Sequence, residues 1–144
     1  MSSVLVLVLG AGAEVVLPKA LGVGFPVLMS AVQFSAARRP AVPAAVFAIA
    51  AGAMEDALSV LPPLTSVSYF LGLAAFVRWS GIPRLAMLFA YPAYQVWLSV
   101  WTSAPGGEVF GRVLLALPVG LAAAVAAWLV LGWVERKAAM HEQG

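Results

Sequence analysis

The feature that most constrains this chain is a series of apolar runs separated by short polar or proline-containing breaks. A helix needs about 20 apolar residues to cross a hydrocarbon core of roughly 30 Å, and the runs are close to that length. Only 10% of the 144 residues are charged, and the mean hydropathy is +1.00. Soluble domains normally carry about 25% charged residues, so this chain lacks the polar surface that water requires. We therefore predict an all-α, polytopic membrane helix bundle in which residues 1–144 form one integral membrane domain.

Six transmembrane helices are predicted from these runs, over residues 4–18, 21–37, 41–61, 64–79, 82–102 and 109–134. The short connections between them require antiparallel neighbours, and residues 135–144 remain as a short cytoplasmic tail. The first run also resembles the apolar region of a signal peptide, with a cleavage site at Ala11-Gly12-Ala13. No Lys or Arg precedes this run, which favours an uncleaved first helix.

The distribution of basic residues predicts the orientation of the bundle. With the N-terminus in the cytoplasm, the inner connections hold Arg38, Arg39, Arg78, Arg84, Arg136 and Lys137, and the outer ones hold Lys19 and Arg112. Cytoplasmic loops carry an excess of Lys and Arg, so both termini are predicted to lie inside. Tryptophans are enriched at membrane interfaces. This orientation places Trp79 and Trp133 at the inner interface and Trp97 and Trp101 near the outer one.

Missing residue types exclude several classes of site. Cysteine is absent and His141 is the only histidine, which excludes disulfides, thiol catalysis, zinc sites and a Ser/His/Asp triad within the membrane. The net charge of +2 does not indicate nucleic-acid binding. We predict no metal, no cofactor and no enzymatic activity, because no acid or base lies at a spacing that fixes a catalytic geometry. A membrane enzyme is the least supported class.

Two adjacent acids, Glu55 and Asp56, lie near the end of the third apolar run, and Glu14 lies toward the same side of the membrane. An ionised carboxylate in hydrocarbon costs roughly 2.5–3.5 kcal/mol, so such groups face the bundle interior, a partner or water. Adjacent helical residues point about 100° apart, which predicts one acid facing the bundle and the other the headgroups. Three interpretations stay open: both acids solvated at the helix end, an internal ion pair with Lys19 or Arg112, or contact with a partner's helix.

The fifth helix carries an aromatic stripe. Tyr94, Trp97 and Trp101 are spaced i, i+3 and i+7 on one face, and Gln95 places an amide near mid-membrane. This stripe would either wall a small-molecule pocket or dock another membrane protein. The alternative is that the two tryptophans belong to the outer aromatic belt while Tyr91, Tyr94 and Gln95 satisfy one another inside.

The order of features resembles the MreD family of bacterial rod-shape-determining proteins. The segment "AAGAMEDALSVLPPLTSVSYFLGLAAFV" (50–77) is similar to that family's helix, acid, proline-containing turn and following helix, with Asp56 or Glu55 as the acid and Pro62 or Pro63 in the turn. "GFPVLMSAVQFSAARRP" and the closing "WVERK" also fit. The chain departs from the family where a glycine often follows the turn proline, because Leu64 stands there.

This resemblance implies a non-catalytic, multi-pass protein of the bacterial inner membrane that scaffolds the cell-elongation machinery. The implied partners are MreC, the actin-like MreB and the peptidoglycan synthases. The alternative is a substrate-binding subunit like the S components of energy-coupling-factor vitamin transporters. In that case an outward-facing pocket would be lined by Glu14, Glu55, Asp56, Tyr94, Trp97 and Trp101.

Overall fold

The computed structural model describes residues 3–21, 26–59, 61–81, 83–103 and 105–142. Within these ranges the prediction of an all-α chain is confirmed. The helices are α1 (Ser3–Leu21), α2 (Val27–Arg38), α3 (Ala41–Ser59), α4 (Thr65–Ser80), α5 (Pro83–Thr102) and α6 (Gly106–Glu142).

The last helix is longer than predicted. It begins at Gly106 and continues to Glu142, so the segment expected to be a tail is helical as far as that residue. Residues 135–142 contain no Gly or Pro and are rich in Ala, Glu, Arg and Lys, which favour a helix. The α2 helix is shorter than predicted and begins at Val27, while residues 22–25 lie outside the described part of the chain.

α2 is the central element of the bundle. It contacts α1, α3, α4, α5 and α6, and every residue from Leu28 to Ala36 is buried. A helix that is buried all round needs side chains without charge, and this one carries only small or uncharged groups until Arg38. The other helices follow one another around it in the order α1, α3, α4, α5 and α6.

Small residues allow two helix pairs to approach closely. A Cβ atom added at Gly52 of α3 would lie 2.5 Å from the Cα of Val67, so α3 and α4 pack backbone against backbone. On α6, a Cβ atom added at Gly120 would lie 2.7 Å from the Cβ of Tyr91.

Basic residues meet at one end of the bundle. The Arg38 guanidinium lies 3.1 Å from the Glu135 carboxylate, and the Arg78 guanidinium donates a hydrogen bond of 2.6 Å to the Arg39 carbonyl. The predicted inner residue Arg84 has no described side chain. The acids Glu14, Glu55 and Asp56 lie in the opposite half, where α1 and α3 end and α2 and α4 begin.

Two helical stretches in the described part of the chain, Ala41–Ser59 and Gly106–His141, are long and apolar enough to cross a membrane, by length and composition alone. The apolar stretch Val4–Val16 of α1 is shorter. Many large apolar side chains face outward, including Val42 at 74% exposure and Leu115 at 70%. This outer surface is of the kind that lipid covers.

Candidate functional site

Asp56 of α3 caps the N-terminal end of the next helix, α4. It lies near the C-terminal end of α3, where an acid opposes the helix dipole. The side chain is only 7% exposed, and its Oδ1 accepts a hydrogen bond of 2.7 Å from the backbone N–H of Ser66 in the first turn of α4. The first N–H groups of a helix have no partner within the helix, so a carboxylate there is favourable. The interpretation of both acids as solvated helix-end groups is therefore wrong for Asp56.

The turn between α3 and α4 is ordered by further hydrogen bonds. Leu64 adopts the left-handed conformation with a φ of 71°, and the Thr65 hydroxyl donates to the Pro62 carbonyl at 2.8 Å. On the other side of α4, the Ser66 and Tyr94 hydroxyl oxygens are 2.5 Å apart. The first turn of α4 is thus held by α3 through Asp56 and by α5 through Tyr94.

Glu55 turns to a different neighbour. It lines a cavity of about 220 Å³ together with Glu14 of α1. Glu14 Oε1 also accepts a hydrogen bond of 2.6 Å from the backbone N–H of Leu28 at the start of α2. The Ser59 hydroxyl donates to Glu55 Oε1 at 3.2 Å. Glu55 is half-buried, so the two adjacent acids face different neighbours, and the expectation that one of them faces the headgroups stays a prediction.

The remaining walls of this cavity come from α2, α4 and α5. Tyr91, Tyr94 and Gln95 of α5 contribute its other polar groups. Phe70 adds an apolar wall. Two carboxyl groups, two phenols and an amide can hold water or a small polar or cationic group.

The predicted ion pair between Arg112 and this acidic pair does not form. Arg112 lies 3.6 Å from Glu108, one turn away on α6. The other predicted partner, Lys19, has no described side chain. Within the described ranges, no group of three or more His, Cys, Asp and Glu residues is arranged to hold a metal ion.

The predicted aromatic stripe divides between two places. Tyr94 and Gln95 line the polar cavity. The Trp97 indole donates a hydrogen bond of 3.0 Å to the Thr65 carbonyl, so it faces α4 and not only the outer interface. Trp101 packs edge-on against Trp97 with 6.0 Å between ring centroids and is 46% exposed.

Of the residues singled out by sequence, Glu14, Glu55, Tyr94 and Gln95 meet in the cavity, while Asp56, Trp97 and Trp101 lie outside it. Sequence reasoning also placed Tyr91 inside the bundle beside Tyr94 and Gln95, and all three line the cavity. It did not single out Phe70 as a wall residue. No sequence pattern indicated Ser66, whose backbone N–H donates to Asp56.

Comparisons with protein-family models, with curated proteins and with solved structures found no match to this chain.

Proposed function

We propose that this chain is a six-span protein of a bacterial inner membrane, with both termini in the cytoplasm, that acts as a non-catalytic scaffold of the cell-elongation machinery. The family it resembles, MreD, supplies the functional part of this proposal. The two long apolar helices, the apolar outer surface and the basic residues gathered at one end support the membrane arrangement.

The resemblance rests on the segment that contains the two acids and the two prolines. The observation that carries the proposal is that this segment holds three helices together. Asp56 caps α4, and Gly52 lets α3 contact the backbone of α4. Tyr94 then ties the same turn to α5. A segment whose polar groups hold three helices in one arrangement suits a protein that presents fixed surfaces to partners. The partners implied by the resemblance are MreC, MreB and the peptidoglycan synthases.

Conditional depletion in the bacterium that encodes the chain tests this proposal. Loss of the protein should make rod-shaped cells wider and rounder within a few generations, with wall synthesis no longer spread along the cylinder. Re-expression of the wild-type chain is the control and should restore cell width. Unchanged width, length and wall-synthesis pattern after depletion would contradict the proposal.

One observation favours a substrate-binding subunit as the second candidate. The cavity formed by Glu14, Glu55, Tyr91, Tyr94 and Gln95 is polar and lies between helices, a common place for ligand sites. Its volume of about 220 Å³ is below the roughly 300–1,000 Å³ of most small-molecule sites. Mass spectrometry of the protein purified under mild conditions distinguishes the two functions. A retained vitamin-sized molecule that is lost in Glu55→Gln would favour the second candidate, and an empty cavity would favour the first.

A further inference from the structure

The ring of helices around α2 is open on one side. Within the described residues, α1 packs on α2 and α3, and α6 packs on α2 and α5, but the α1 and α6 backbones do not come into contact. An apolar cavity of about 380 Å³ lies between them. Leu9 of α1 and Ala127 of α6 form its walls, and Ala31 of the central helix forms its floor. The opening therefore reaches down to α2, although Ala31 itself is only 4% exposed.

This opening continues into a second cavity toward the basic end. The two cavities share wall residues from α1, α2 and α6, and the second has a volume of about 290 Å³. Its wall includes the polar residues Ser35, Arg39 and Glu135. We call the two cavities together the α1–α6 cleft. The cleft is apolar along most of its length and polar only where the arginines gather.

Ser35 is an unexplained polar group in the wall of the cleft. Its side chain is 3% exposed, and its Oγ has no hydrogen-bond partner. A buried hydroxyl without a partner costs about 1–3 kcal/mol. A hydrogen-bonding group that enters the polar end of the cleft would remove this cost.

The charge at the mouth of the cleft favours an anion. Glu135 is already paired with Arg38 at 3.1 Å, so its negative charge is compensated. The Arg39 guanidinium, 5.6 Å from the centroid of the Phe47 ring, belongs to the same wall as Ser35.

We propose that the α1–α6 cleft binds one anionic phospholipid, with an acyl chain between α1 and α6 and the phosphate beside Arg39 and Ser35. This inference rests on the proposed membrane-spanning arrangement. An apolar opening that faces hydrocarbon is filled by acyl chains, because water there would lack hydrogen-bond partners. At the polar end, the Arg39 cation compensates the negative charge of the phosphate. The Ser35 hydroxyl, which is enclosed in the structure, donates to a phosphate oxygen once its side chain rotates toward the cleft.

Native mass spectrometry of the delipidated protein, titrated with phosphatidylglycerol or phosphatidylcholine in detergent, tests this proposal. The wild type should bind one phosphatidylglycerol in preference to phosphatidylcholine. Arg39→Gln should reduce that preference about fivefold, as expected for the loss of one favourable charge near the membrane surface. Arg136→Gln is the matched control, because Arg136 is at the same end but does not line the cleft, and it should keep most of the preference.

A second pair of variants tests the position of the acyl chain. Ala126→Phe places a ring in the cleft and should reduce the occupancy of both lipids, whereas Val125→Phe is the control on a face of α6 outside the cleft. Thermal unfolding of all variants verifies that they fold. Equal lipid binding by wild type, Arg39→Gln and Ala126→Phe would overturn the inference, as would a lipid-free dimer whose partner helix fills the cleft. A chain that does not fractionate with membranes would instead overturn the proposed function itself.

Discussion

At the scale of single residues, two neighbouring acids have different roles because a helix turns about 100° per residue. Asp56 reaches the start of α4 and Glu55 lines a cavity with Glu14. Sequence reasoning predicted that the acids could not share one neighbour, and this is confirmed. It did not predict the capping role, since the Ser66 N–H is brought to Asp56 only by the fold of the turn between them.

Asp56→Ala should destabilise the protein by about 1–3 kcal/mol, because the buried N–H of Ser66 loses its acceptor. The measurement is chemical or thermal unfolding in detergent micelles, followed by circular dichroism. Asp56→Asn is the control and should recover most of the loss, since its amide oxygen still accepts the hydrogen bond. Equal stability of Asp56→Ala and wild type would show that the cap contributes nothing.

Glu55→Gln should leave stability at neutral pH unchanged or raise it by up to about 1 kcal/mol. Glu55 and Glu14 line the same cavity, where two like charges repel each other, whereas a Gln amide carries no charge and can donate a hydrogen bond to the Glu14 carboxylate. The same unfolding measurement applies, with Glu108→Gln as the control because Glu108 is exposed and belongs to a surface ion pair. A lower stability of Glu55→Gln than of Glu108→Gln would count against this account of the cavity.

At the scale of helices, hydrophobic run length and proline positions predicted the number of elements and most boundaries, because both act locally. At the end of α6 the helix continues past the predicted span, which was ended at residue 134 because apolar residues give way to charged ones there. The change in residue type indicates where the helix leaves apolar surroundings. The helix itself continues to Glu142, because the residues beyond have high helix propensity. The position of α2 in the centre could not be predicted from one sequence, because it depends on which helices pack together.

Gly52→Ala should destabilise the α3–α4 pair by about 1–3 kcal/mol, because a Cβ atom there would meet the Val67 backbone, which cannot rotate away. Gly72→Ala on α4 is the matched control, since no atom lies within 4 Å of its added Cβ. It should be neutral or stabilise by up to about 1 kcal/mol through helix propensity. Thermal unfolding of both variants in the same micelles makes the comparison, and equal stability of the two would contradict backbone packing at Gly52.

At the scale of the whole molecule, its two ends differ in charge. At one end Arg38 of α2 pairs with Glu135 of α6, and Arg78 of α4 donates to the Arg39 carbonyl. The carboxyl groups of α1 and α3 lie in the other half. Sequence alone indicated this separation, because alternating helices return each basic connection to the same side. It did not indicate the open side of the ring between α1 and α6, since that gap results from packing and not from any local pattern.

The absence of cysteine from the chain makes its orientation directly measurable by labelling of single-cysteine variants. Arg136→Cys and Gly107→Cys place a thiol at exposed positions near opposite ends of α6, which limits the effect of the substitutions on folding. With the basic end in the cytoplasm, an impermeant thiol reagent added to intact spheroplasts should label Gly107→Cys and leave Arg136→Cys unlabelled until the membrane is permeabilised. Labelling of Arg136→Cys alone in intact spheroplasts would show that the protein has the opposite orientation. Labelling of both would show that α6 does not cross the bilayer, and the six-span arrangement would then fail whatever the charge distribution.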